Sequence, residues 1–160
     1  MSAAEYTFHA TPDLARSGAR HFMKRRAGRA LLFFYLVIGG CLCLLIAGNR
    51  HWPLIVGPLV AIWFISRWRA YCRKAGEPYE AMSDPTTKIV VEDDGLSMVT
   101  SDHSSKMKWG LVKEIWRYPD LWLVFFHSDE HYTIFSTDGM SDYIATKIAD
   151  EVTAAGGVVR

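Results

Sequence analysis

Two uncharged apolar stretches interrupt an otherwise mixed chain: ALLFFYLVIGGCLCLLIA from Ala30 to Ala47, and WPLIVGPLVAIWFIS from Trp52 to Ser66. A helix crosses the hydrocarbon with roughly 20 apolar residues, the working range being about 17 to 25. The first stretch has that length. The second is short, but Trp68 extends it and the long side chains of Arg67 and Arg69 can snorkel. The pattern therefore predicts two spans, and the brief connection GNRHWP, Gly48 to Pro53, makes them an antiparallel hairpin. The first run starts too late and runs too long for a cleaved signal, whose apolar core is about 7 to 15 residues. Pro53 suits a first helical turn, whereas Pro58, after Gly57, should kink the second helix.

Outside these runs the periodicity changes twice. AEYTFHA places Tyr6, Phe8 and Ala10 on one face and Glu5, Thr7 and His9 on the other, the period of a strand. TPDLARSGARHFMKRRAGRA then offers Thr11 as an N-cap, Pro12 at the first helical position and Asp13 in the first turn. From Thr86 onward short strand-like runs alternate with turn signals: TKIVVE, DDG, LSMVT, KMKW, KEIWRY, then LWLVFF and HYTIFS on either side of HSDE. This is the spacing of an antiparallel meander. MSDYIATKIADEVTAAGG closes the chain as an amphipathic helix, capped by Ser141, with Ile144, Ile148 and Val152 on one stripe and Gly156-Gly157 as its stop. The organisation predicted is an N-terminal strand and basic helix at 1–29, a hairpin at 30–68, a connector at 69–85 and a small β-domain with one helix at 86–160.

Charge orients the hairpin. Arg16, Arg20, Lys24, Arg25, Arg26 and Arg29 precede it, and Arg67, Arg69, Arg73 and Lys74 follow it, while its loop holds Arg50 alone. The positive-inside rule then places both termini in the cytoplasm, and the basic flanks suit anionic headgroups. From Pro85 to Arg160 seven cations face twelve carboxylates, a net charge of −5. That sign excludes nucleic acid as a partner. Lys106, Lys108 and Lys113 are the one candidate anion patch.

No constellation for catalysis emerges. HSDEH, His127 to His131, has two imidazoles and two carboxylates, but the pair spans a proposed turn and the composition is that of an exposed loop. Neither a nucleophile elbow nor a Gly-rich phosphate loop is present, so no enzyme activity, cofactor or metal is expected. Cys41, Cys43 and Cys72 lack metal-type spacing, and Cys72, in RWRAYCRK, is a free thiol or an S-acylation site.

The order strand, TP-x-x helix, apolar hairpin, β-domain and closing helix, with Trp109, Val112 and Ile115 in KMKWGLVKEIWRYPDLWLVFF, resembles the YcxB-like family of bacterial membrane proteins. The resemblance implies an α+β membrane protein of the bacterial inner membrane, whose C-terminal domain is a pleckstrin-homology-like, partly open barrel plugged by a helix. It carries no catalytic or ligand residues over. In such a barrel Trp109, Ile115, Leu121, Leu123, Phe125 and Ile134 are expected to fill the interior. Trp116 and Trp122, of opposite parity, become the candidate partner surface. The expected function is a membrane-anchored, non-enzymatic protein-interaction or regulatory module, with the bilayer and another protein as partners and a homo-oligomer allowed. The alternative is an immunity-type protector or small membrane-complex subunit that recognises its partner through the hairpin.

Overall fold

The computed structural model describes residues 4–26, 28–46, 48, 53–82, 84–101, 103–127 and 131–160. The chain is α+β and divides into two compact units, one of residues 1–18 with 76–160 and one of residues 19–75.

The first unit begins with β1 (Ala4–His9), whose Tyr6 and Phe8 are buried on one face as the period-two pattern requires. Thr11 then caps α1 (Pro12–Arg26), accepting from the Leu14 amide at 3.2 Å. The first sheet has the order β1, β2 (Thr86–Val91), β3 (Gly95–Val99), β4 (Ser104–Lys108), antiparallel throughout. β1 thus pairs with a strand far along the chain, from Ala4 opposite Val91 to His9 opposite Thr86. The Glu92 amide donates to the Gly95 carbonyl to close the turn that DDG announced. Gly95 is needed there, because a Cβ would sit 2.2 Å from the Met107 carbonyl oxygen.

A 3-10 turn at Trp109–Leu111 leads into the second sheet, β5 (Val112–Arg117), β6 (Leu121–Phe126) and β7 (Tyr132–Ser136), ordered β7, β6, β5, β8. Between the last two lies α4 (Asp142–Ala154), in which Ser141 accepts from the Ile144 amide and Ile144, Ile148 and Val152 are buried. β8 (Val158–Val159) returns parallel to β5. Tyr6, Phe8, Ile89 and Val91 from the first sheet share one core with Ile115, Trp122, Val124 and Phe135 from the second and with the α4 stripe.

The second sheet is buried on its other face as well. Leu121, Leu123, Phe125 and Ile134 are all inaccessible yet stand outside that core. The start of α1 lies on them: a Cβ at Gly18 would meet Ile134 Cδ1 at 2.7 Å and Leu123 Cδ2 at 3.2 Å, and Ser17 donates to Asp120 at 2.9 Å. The expected assignment of faces is therefore corrected. Trp122 and Val124 fill the core, and Leu121, Leu123, Phe125 and Ile134 form a second apolar layer.

In the other unit α2 (Gly28–Ile46) and α3 (Pro53–Glu80, of which the part to Ala75 belongs here) pack antiparallel. Phe34 stacks on Phe64 with centroids 5.0 Å apart, and a Cβ at Gly57 would lie 3.8 Å from Cys41. Moving from the Cys41–Gly57 contact to the Phe34–Phe64 contact advances about two helical turns in opposite directions along the two helices.

The membrane expectation is corrected. Among the described residues no helix is long and apolar enough to cross a membrane. In α3 the uncharged run from Pro53 to Ser66 is ended by Arg67 and Arg69, short of the roughly 20 residues needed. The side chains at 30, 31 and 45 and residue 47, which belong to the first expected span, lie outside the described ones. The transmembrane hairpin, the multi-pass inner-membrane location and the cytoplasmic placement of both termini fall with that finding.

One core group is unusual: the buried Tyr6 hydroxyl has no hydrogen-bond partner among the described residues. Burial pushes both the Tyr6 and Tyr79 phenols above their ordinary value of 10.0. A raised folded value means that stability is fully present below about pH 10 and falls as pH rises past it, since only the unfolded chain releases these protons readily. Tyr6→Phe is expected to raise stability by about 1 kcal/mol and to flatten this alkaline loss, as read from denaturant melts near pH 8 and pH 11. A loss of stability at the lower pH would show that the hydroxyl is satisfied.

Candidate interaction surface

A sheet recruits a further strand only through an edge whose backbone groups face outward. The edge of β5 is already taken: the Arg117 amide donates to the Arg160 carbonyl at 2.8 Å, the Arg160 amide to the Ile115 carbonyl at 2.9 Å, and Arg160 pairs with Glu114 at 3.0 Å. Sequence reasoning missed this closing strand, because two valines after a glycine pair carry no readable period. The outer edge of β1 is crowded by the turn after β7, where a Cβ at Gly139 would lie 3.1 Å from the Thr7 carbonyl oxygen. β4 differs. It ends the first sheet, and Ser104, Ser105, Lys106 and Lys108 are exposed, with only Met107 partly covered.

The lysines of the expected anion patch occupy unlike positions. Lys106 is held by Glu92 at 2.5 Å and Asp94 at 3.2 Å. The hydrogen bonds to Glu92 and then Asp94 raise its pKa above the ordinary lysine value, and the Lys106 hydrogen bond in turn holds the Asp94 carboxyl low. Its charge is thus answered by the neighbouring turn between β2 and β3. Lys108 and Lys113 are exposed, and Lys113 lies where a bulge shifts the β5–β6 register between Val112 and Glu114. Three cations awaiting one anion do not describe this arrangement.

Trp116 and Trp122, expected as an outward aromatic pair, are 9% and 5% exposed. Trp122 belongs to the core, with Arg117 over its ring at 6.0 Å, while Trp116 packs on Phe125 with centroids 4.5 Å apart. Opposite parity did place them on opposite sides of the sheet from their neighbours, but both sides are covered. Trp109 is buried as expected, its indole N–H donating to the Glu92 carbonyl at 3.2 Å.

Of HSDEH, residues 128–130 lie outside the described ones, and among the described residues no group of three or more His, Cys, Asp or Glu could hold a metal. All three cysteines are free thiols; Cys41 and Cys72 are buried and Cys43 is exposed. Burial pushes the Cys72 thiol up, and the nearby Arg20 charge offsets this in part.

No curated protein and no solved structure matches the chain. Residues 91–143, from the end of β2 to the start of α4, match the model of the family described as YcxB-like protein. With the meander and its Trp109, Val112 and Ile115 core inside that segment, the chain carries a YcxB-like domain.

Proposed function

We propose that this chain is a non-enzymatic protein-interaction module that receives an extended segment of another protein along β4. The exposure of β4 carries this reading: it ends the first sheet with four of five residues exposed, whereas β7, which ends the second sheet, has none, the β5 edge is covered and the β1 edge is crowded. Main-chain pairing would supply affinity, and pockets for alternate side chains would supply choice of sequence. Lysines on an edge normally discourage indiscriminate pairing, and Lys106 held by Glu92 and Asp94 does not reach out as a lone cation. A photo-crosslinking residue at Ser105 is expected to give one discrete adduct in cells. Proline at alternate β4 positions, those whose amides point away from β3, should abolish the adduct and leave the melting midpoint unchanged. Persistence of the adduct through every proline variant would remove β4 from consideration.

A second reading rests on the helices. Leu32, Phe33, Leu36, Ile55, Leu59, Ile62 and Trp63 are exposed, more apolar surface than a solitary pair of helices ordinarily shows. In this reading the helical hairpin recognises the partner. A crosslinking residue at Leu36 or Ile62 would then capture it, and the β4 prolines would not matter.

A further inference from the structure

The unit of residues 19–75 has ten Lys and Arg residues and no Asp or Glu, so all 17 carboxylates of the chain belong to the other unit. Within it α2 and α3 enclose a groove of about 580 Å³, walled by Phe34, Val60, Trp63, Phe64 and Trp68 and bordered by Arg67 and Lys74. Arg67 and Lys74 stand about two turns apart on α3, which sets them on one side of that helix. Both are exposed, and neither forms an ion pair among the described residues, although Glu77 follows Lys74 by one turn of α3. A cavity of this size takes one small ligand, and its walls reward hydrocarbon. Its border rewards a negative charge: the guanidinium offers a planar fork that matches a carboxylate, and the ammonium adds a second positive charge.

We infer that this groove binds a single-chain fatty carboxylate, the hydrocarbon lying along Phe34, Phe64 and Trp68 and the carboxylate meeting Arg67 and Lys74. The inference is independent of the β4 reading, since every residue in it belongs to the helical unit. Trp63 and Trp68 provide the signal, because a brominated palmitate seated beside them quenches indole fluorescence. In the full chain, brominated palmitate is expected to quench saturably and to be displaced by palmitate far better than by hexadecanol. Arg67→Gln with Lys74→Gln should weaken binding by about tenfold or more, as expected for loss of charge-assisted contacts. Both positions are exposed, so folding should survive. Arg67→Glu with Lys74→Glu should reverse the preference toward hexadecyltrimethylammonium, a gain that an unfolded chain cannot show. Equal displacement by palmitate and hexadecanol, or unchanged affinity in the glutamine variant, overturns the carboxylate site. Preference for dioleoylphosphatidylglycerol over palmitate overturns the single-chain ligand.

Discussion

A chain lacking residues 4–10 is expected to lose the cooperative unfolding transition of its β-rich unit altogether. β1 contributes Tyr6 at 5% and Phe8 at 4% exposure to the shared core, and it pairs with β2 over six residues, from Ala4 to His9. Truncating one large buried aromatic costs about 3 to 5 kcal/mol, and whole domains are stable by only about 5 to 15 kcal/mol. Deleting both aromatics with their strand spends that margin and opens the apolar edge of β2. Near-ultraviolet circular dichroism through a denaturant titration reads the outcome. A peptide of residues 1–18 added in trans should restore part of the transition, because the missing strand is then resupplied. A retained sharp transition without residues 4–10 would mean that β1 is an accessory. By the same reasoning a fragment beginning near Ser83, which keeps every later strand, should not fold.

Trp122→Ala is expected to destabilise the chain by about 3 to 5 kcal/mol, as much as Trp109→Ala. The two indoles are similarly buried in one core, at 5% and 6%, and Trp122 additionally meets the Arg117 guanidinium. Denaturant melts of both variants beside the parent chain give the comparison. If Trp122→Ala stayed within about 1 kcal/mol of the parent while Trp109→Ala did not, the burial of β6 on both faces would be wrong.

Local signals were legible and non-local ones were not. Thr11, Pro12 and Asp13 announced α1, and Ser141 with its four-residue repeat announced α4, because caps and periods are written within a few residues. The strand AEYTFH was legible too. Its partner was not, since nothing in six residues specifies a mate beyond the helices. Parity failed at LWLVFF for a definable reason: alternation locates a face only when one side is polar, and here the start of α1, at Ser17 and Gly18, lies on the side that the core does not use. Ala30–Ala47 and Trp52–Ser66 read as spans on composition, whereas among the described residues no helix is long and apolar enough to cross a membrane, and Arg67 and Arg69 interrupt α3. The Lys106 ion pairs follow from the register of the β3–β4 hairpin, which sets Lys106 opposite Ser97 and near the turn residues Glu92 and Asp94. The groove required the opposite direction of α2 and α3 together with their rotation, and the sequence supplies only the first.

The pairing of β1 with β2 also sets a schedule. The Ala10 amide donates to the Pro85 carbonyl at 2.8 Å, so everything between those residues is a closed loop. At a synthesis rate of about 5 to 20 residues per second, β1 waits some 4 to 15 seconds before β2 exists. Closing a flexible loop of that length costs roughly 4 kcal/mol in chain entropy before any strand contact repays it. A hairpin of α2 and α3 that forms during the wait shortens the loop to a few flexible links. Substitutions that loosen the helices should therefore slow the assembly of the first sheet, and a newborn chain stalled before Thr86 would leave Tyr6 and Phe8 without their sheet.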